Sequence, residues 1–452
     1  MAQRRRRRRD PTQAARRGRP RRAIWTRGRR TRPKSPVSAP PVLRGPDRRG
    51  RPSPLLLHLA AAAASAGQAV ALAPLAHDPR FPWRPDFAAE GARAGRALAE
   101  TGPHGPLAAA AEAARRLKDM IKGIERWQTH PHARRLPDPP ALWRAGAARL
   151  LDYRPEGGAA VLVIPSLVNR AQVLDLHLQR SLLRWLAARG LRPLLLDWGD
   201  PGPEERGFDL SAYWRSRLIP AAQAARAAAG PLAALGYCMG GAFAAALAQH
   251  RPDLCRRLAL IGAPWDFARL DGFAAAMVQL TARGDPSGAV ARIDALGRAF
   301  GAVPTDVLQL AFALIDPTLA QRKFRRFAQL PEGLDAELFV ATEDWLNHGP
   351  PLSAPAARDL TLHWYAENRP VRGLWRLDGA EVRPAEIRRP ALAFCSRTDR
   401  IAPPACAEPL PRAIPGARIL RPAAGHVGMI VGGRAQAEVW APLAEFLSED
   451  GA

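Results

Sequence analysis

Lysine is scarce in this 452-residue chain, occurring only as Lys34, Lys118, Lys122 and Lys323. Cysteine is equally sparse: four residues are far too few for a disulfide scaffold of this length. Acidic side chains are outnumbered, with 41 Asp+Glu against 67 Lys+Arg, giving a formal net charge of +26. The excess is therefore almost all arginine, and it is unevenly placed. Residues 1–51 hold 20 Lys+Arg and two Asp+Glu, a net +18; the other 401 hold 47 and 39, a net +8. The body thus lacks the uniform positive charge of a nucleic-acid-binding fold, and nucleic acid is disfavoured as a partner. What the chain does have is apolar content, 47%, enough for one large core or two modest ones.

The +18 tail contains six consecutive arginines at 4–9, followed by Arg, Pro and Gly in mixture. Like charges repel and leave no apolar face to bury, so residues 1–51 are expected to be disordered. Such a tail can serve as an electrostatic arm for nucleic acid or anionic lipid; the favoured reading is GC-rich DNA upstream of a start read as protein, with no evolved role. Residues 55–76, LLLHLAAAAASAGQAVALAPLA, are long enough to span a bilayer. The run is Ala-rich and interrupted by His58, Gln68 and Pro74, which favours a helix packed on a core. No transmembrane span is expected.

Residues 52–155 read as a helical N-terminal region, with a Pro- and His-rich linker at 130–143. From residue 159 the pattern becomes strand, helix, strand, helix. Buried strand segments are expected at 159–167, 191–199, 231–241 and 256–267, and helices at 173–190, near 211–229 and at 242–250. This alternation predicts an α/β protein with a mostly parallel, doubly wound sheet. Its first part covers 156–267, a helical cap or lid insertion covers 268–385, and a second part at 386–449 closes the core.

The chemistry concentrates in Gly236-Tyr237-Cys238-Met239-Gly240-Gly241, between an apolar strand and a small-residue helix. A sharp strand-to-helix turn lifts its central side chain off the sheet edge, and small neighbours let the turn close. Here that side chain is a thiol, placed at a helix N-terminus that favours anions. Asp399, after a later strand, and His426, in Gly425-His426-Val427-Gly428 after the last, complete the nucleophile-acid-base order of an α/β-hydrolase fold. His426 would deprotonate Cys238, and Asp399 would orient the imidazole. The Met239 N–H is one oxyanion donor; the second is expected from Leu167 or Val168 in the loop after the first strand. Asp197 and Asp266 read as loop or helix caps, and the other nine histidines as structural or surface residues. Cys255, Cys395 and Cys406 share no ligand spacing with His, so no metal is expected.

Several segments together resemble the polyhydroxyalkanoate synthase family. They are Val163-Ile164-Pro165-Ser166-Leu167-Val168-Asn169 with Val173-Leu174-Asp175-Leu176, the Leu196-Asp197-Trp198-Gly199 form of the shorter synthases, the Cys238 box, and Glu343-Asp344-Trp345-Leu346-Asn347. Trp364-Tyr365, Asn368, Gly373, Asp399 and His426 fit as well. The resemblance covers roughly 52–449. It implies a cysteine acyltransferase that loads 3-hydroxyacyl groups from CoA onto Cys238 and extends a polyester. It also implies no cofactor beyond the CoA carried by the substrate, a cytoplasmic location on or near polyester granules, and assembly as a homodimer or with a partner subunit. The chain departs from the pattern at Arg170-Ala171-Gln172, where many synthases carry an aromatic pair. A hydrolase of esters, thioesters or polyesters would use the same triad, so the motifs leave both reactions open.

Overall fold

The computed structural model describes residues 49–449, apart from 77, 79, 84, 86 and 271–285. Its centre is an eight-stranded sheet: β1 (Ala141–Ala145), β2 (Ala148–Asp152), β3 (Ala159–Ile164), β4 (Leu191–Asp197), β5 (Leu232–Tyr237), β6 (Arg257–Ile261), β7 (Ala391–Phe394) and β8 (Arg418–Leu420). The order across the sheet is β1-β2-β4-β3-β5-β6-β7-β8. β1 and β2 pair antiparallel at one edge, and β3 to β8 run parallel to one another. Every residue of β4, β5, β6 and β7 is buried, as strands covered on both faces require. From β3 the chain steps outward to β4 and then returns to β5 on β3's other side. The carboxyl ends of β3 and β5 thus meet at a switch point, where open α/β sheets place their sites.

The longer helices are α1 (Leu55–Leu72), α2 (Ala88–Glu100), α3 (Gly105–Thr129), α4 (Ile219–Ala229), α5 (Gly240–His250), α6 (Ser287–Phe300), α7 (Thr305–Ile315), α8 (Leu319–Gln329), α9 (Leu334–Asn347) and α10 (Ala441–Ser448). α4, α5 and α10 pack on the sheet. A second apolar cluster joins the N-terminal helices to the insertion: Met120, Ile124 and Trp127 of α3 with Phe324, Phe327 and Val340 of α8 and α9. α3 and α8 approach so closely that a Cβ on Gly123 would lie 1.9 Å from the Phe324 carbonyl oxygen. Only glycine fits there.

Two expectations change, and two others are met by the described residues only in part. Residues 141–152 are not linker and helix but the β1–β2 hairpin, which turns at Gly146 (φ 52°), so the sheet begins before residue 156. The segment 173–190 is α-helical only at Leu182–Ala187, with the end of a 3-10 turn, Ala171–Leu174, at its start. Before that, Asp175–His177 pairs with Arg180–Ser181, because fully buried Asp175 collects Ser181 Oγ at 2.6 Å, Arg184 Nε at 2.8 Å and Arg134 Nη2 at 3.1 Å. α1 forms as expected, but only His58 and Ala62 of it are buried. Among the described residues it is the one helix long and apolar enough to cross a membrane. The expectation of disorder for 1–51 lies outside the described residues except at 49–51. There Arg49 belongs to the fold, binding Asp344 (Nε to Oδ1, 2.6 Å) and the carbonyls of Trp127, His130 and His132.

Candidate active site

β5 runs straight into Cys238, which takes a left-handed backbone (φ 54°) before α5 begins at Gly240. A non-glycine residue there is strained, and the surroundings hold it. Cys238 N donates to Ile261 O at 2.9 Å, and Gly241 N to Cys238 O at 2.9 Å. The turn also needs its glycines. A Cβ on Gly240 would sit 2.1 Å from Ile164 O, and one on Gly236 would sit 2.4 Å from Gly241 Cα. Met239 caps α5, so its N–H stands at the positive end of the helix beside the thiol.

Asp399 and His426 come from the loops after β7 and β8. His426 Nδ1 donates to Asp399 Oδ2 at 2.7 Å. The other Asp399 oxygen accepts from Ile401 N at 2.8 Å and Ala402 N at 2.9 Å, which fixes the carboxylate plane. Burial alone would lower the His426 pKa. The charges of Asp399 and Cys238, and hydrogen bonding to them, outweigh it and hold the ring well above its ordinary value. His426 Nε2 is buried, and Cys238 is the side chain that acts on the ring besides Asp399, as a proton transfer between thiol and imidazole needs. Gly262 (φ 56°) stands against the ring: a Cβ there would be 2.9 Å from His426 Cε1.

A cavity of about 390 Å³ opens over this group. Its wall includes Cys238, His426 and Tyr237, Ser166 and Asn169 after β3, Phe312 of α7, Lys323 of α8 and Glu343 of α9. The thiol and the insertion helices therefore share one chamber. Lys323 Nζ meets Glu343 Oε2 at 2.7 Å within it. Tyr237 OH is buried without a partner, and burial, then the nearby Cys238 and Asp399 charges, pushes its pKa well above normal, so the hydroxyl stays a donor.

The loop after β3 separates the two oxyanion expectations. Val168 N donates to Ser166 Oγ at 3.2 Å, so that N–H is already engaged. Of the two expected donors, Leu167 and Val168, Val168 is thus the one bonded within its own loop. The segment 343–347 gains a structural meaning. Asp344 receives Arg49 and Trp127 Nε1 (3.0 Å), Trp345 Nε1 donates to Arg170 O at 2.8 Å, and Asn347 Oδ1 accepts from Ser53 N at 2.7 Å. α9 thus ties the β3 loop to the N-terminal segment. Arg170, where the aromatic pair is missing, instead pairs with Asp200 at 2.9 Å.

Asp197 accepts from Arg149 Nη2 at 2.6 Å, and Asp266 from Asn368 Nδ2 at 2.7 Å, with each also accepting a backbone N–H two residues on. Burial pushes the thiols of Cys255, Cys395 and Cys406 up to about 12. They are buried and unpaired, and none lines the cavity. Among the described residues one cluster, His132, His177 and Glu337, has metal-ligand proximity. Gln179 N donates to His177 Nδ1 at 3.2 Å, so Nε2 carries the proton and donates to Glu337 Oε2 at 3.2 Å. That is a hydrogen bond, and the tautomer opposes metal ligation at Nε2. Among the cavity residues not legible in the sequence is His58, read there as structural or surface.

The alpha/beta hydrolase fold family model matches residues 160–433. Among curated proteins, the chain is similar to the poly(3-hydroxyalkanoate) polymerase subunit PhaC of Haloferax mediterranei, 26% identical over 320 residues, 68% of this chain and 63% of that one. It is 28% identical over 307 residues to the PhaC subunit of Allochromatium vinosum, 66% of this chain and 84% of that one. It is 29% identical over 300 residues to that of a Synechocystis strain, 64% and 77%. The match thus spans less than two-thirds of the Haloferax protein.

Proposed function

We propose an acyl-transfer activity from a settled premise: the chain belongs to the alpha/beta hydrolase fold family. Its similarity to poly(3-hydroxyalkanoate) polymerases supports a polyhydroxyalkanoate synthase. The observation that carries the reading is the Cys238 elbow beside the His426–Asp399 pair, with Cys238 and His426 lining one chamber.

In this mechanism His426 Nε2 takes the Cys238 proton, and Sγ attacks the thioester carbonyl of a 3-hydroxyacyl-CoA. The oxyanion collects on the Met239 and Leu167 N–H groups. Collapse forms an acyl-Cys238 thioester, and His426 returns its proton to the departing CoA thiolate. Neutral His426 then removes the proton of an incoming hydroxyl, which attacks acyl-Cys238; the ester bond forms as the acyl–sulfur bond breaks, and His426 returns the proton to the departing Cys238 thiolate. Exchange of one thioester for another is close to isoenergetic, so Cys avoids the deeper ester intermediate that Ser would form. No metal or separate cofactor enters these steps, because CoA arrives on the substrate. The exposed apolar residues Leu56 and Leu72 of α1 suit a cytoplasmic enzyme working at a polyester surface. The relatives are named as subunits, which extends the reading to a homodimer or a partner chain.

Purified protein given 3-hydroxybutyryl-CoA should release CoA and form insoluble polyester. CoA release with free hydroxy acid would instead mean that water reaches the acyl enzyme, making it a hydrolase. Undiminished turnover by Cys238→Ala would remove both readings.

A further inference from the structure

The chamber contains a buried acceptor that the steps above do not use. His58 of α1 lines the chamber and is 9% exposed. Its Nε2 lies 3.3 Å from Ser53 O. A carbonyl can only accept, so Nε2 carries the proton. Burial, then the nearby Lys323 charge, lowers the imidazole pKa and keeps the ring neutral. Nδ1 is therefore a bare lone pair. It is buried and has no hydrogen-bond partner.

The nearby cation does not fill this role, since Lys323 Nζ is engaged by Glu343 Oε2 at 2.7 Å. The ring is held in place. His58 N donates to Pro54 O at 3.2 Å, Ser53 N donates to Asn347 Oδ1, and Ser53 Oγ donates to Asp306 Oδ1 at 2.6 Å. Apolar side chains of α7 and α8, including Phe312, Leu319 and Ala320, share the same wall. An isolated, preoriented acceptor in a largely apolar wall suits a ligand that carries an O–H on a short hydrocarbon chain.

Resting on the acyl-transfer reading, we propose that His58 Nδ1 accepts the hydrogen bond of the substrate's 3-hydroxyl and so selects 3-hydroxyacyl over unsubstituted acyl thioesters. Asn169 Oδ1, also buried and unpartnered on this wall, remains available to other donors of the same substrate. His58 is thus a binding residue contributed by the N-terminal helices, outside the hydrolase-fold core.

The test measures the CoA burst from 3-hydroxybutyryl-CoA and from butyryl-CoA in the full chain. Two polar variants separate the ring nitrogens. His58→Gln keeps an amide donor near Nε2 and loses the acceptor at the δ position; His58→Asn places an amide oxygen near Nδ1. The ratio of kcat/KM for the hydroxylated over the plain thioester should fall about five- to tenfold in His58→Gln. His58→Asn should restore much of it. Parallel loss on both substrates in His58→Gln, or an unchanged ratio, overturns the assignment. If the wild-type chain releases CoA from neither thioester, the acyl-transfer reading fails, and this one with it.

Discussion

His426 donates Nδ1–H to Asp399 over 2.7 Å, with the carboxylate side chain wholly excluded from solvent. The carboxylate therefore fixes both the tautomer and the ring plane, and presents Nε2 toward the Cys238 side. Asp399→Asn keeps an oxygen for the Ile401 and Ala402 N–H groups but loses the charge that favours imidazolium. Turnover should fall by about 10²–10⁴, the range seen when a triad carboxylate is neutralised. Substrate binding should change little. Single-turnover CoA release against thioester concentration measures both, and near-normal turnover in this variant would remove Asp399 from the mechanism.

The same pair sets a pH dependence. The folded-state pKa of His426 is raised, so the stabilisation is fully present below its unfolded value of about 6.5. It is lost as pH rises through the folded pKa, which lies well above. The urea midpoint of the wild-type protein should therefore drop between pH 6 and pH 9. In Asp399→Asn the leading favourable charge is gone and burial still disfavours imidazolium, so the drop should shrink. An equal drop in both proteins would assign the dependence to other groups.

Much of this site was legible because its signals are local. Cys238 sits between Gly236 and Gly240, and each glycine is required by backbone contact within one turn or with the adjoining loop. Asp399 and His426 each follow a strand end, where the fold carries such groups. β1 and β2 were hidden because Pro137, Pro139 and Pro140 and several arginines obscured the short alternation around Gly146. The hairpin at 175–181 was hidden because the apolar spacing of 173–190 suits a helix, and only the distant Arg134 and Tyr153 reveal what buries Asp175. His58 could not be found from its neighbours in sequence. Its place depends on α1 docking against α3 and α8, a contact between segments some 260 residues apart. Arg49 was hidden for a similar reason: in so arginine-rich a stretch of sequence, nothing local marks the one that binds three carbonyls.

The Lys323–Glu343 pair gives a third prediction. Glu343 is 3% exposed at its side chain and Lys323 is 22% exposed, so the charges are only partly hydrated. Glu343→Gln leaves the ammonium without its carboxylate in the chamber wall and should cost about 1–3 kcal/mol of stability by urea unfolding. The double variant Lys323→Met, Glu343→Leu should recover most of that loss, because it removes both desolvation costs. A double variant no better than Glu343→Gln would show that the pair contributes through packing instead.

The last prediction concerns how the N-terminal helices hold the chamber closed. Gly123 faces the α8 backbone so closely that an added methyl would fall 1.9 Å from Phe324 O and 2.7 Å from Phe324 C. Backbone atoms cannot rotate away as a side-chain end can, so Gly123→Ala must push α3 and α8 apart. The shared cluster of Trp127, Phe324 and Phe327 would open with them. Overpacking of this kind costs about 1–3 kcal/mol, and the intrinsic helix preference of Ala over Gly returns only about 1 kcal/mol. Net destabilisation should appear as a lower Tm in calorimetry. Because α8 carries Lys323 and part of the chamber wall, KM for the acyl thioester should rise more than kcat falls. Cys238 and His426 sit on the sheet, anchored independently of α3. A stabilised Gly123→Ala protein would mean that the two helices have freedom to separate, and that the chamber wall does not depend on their contact.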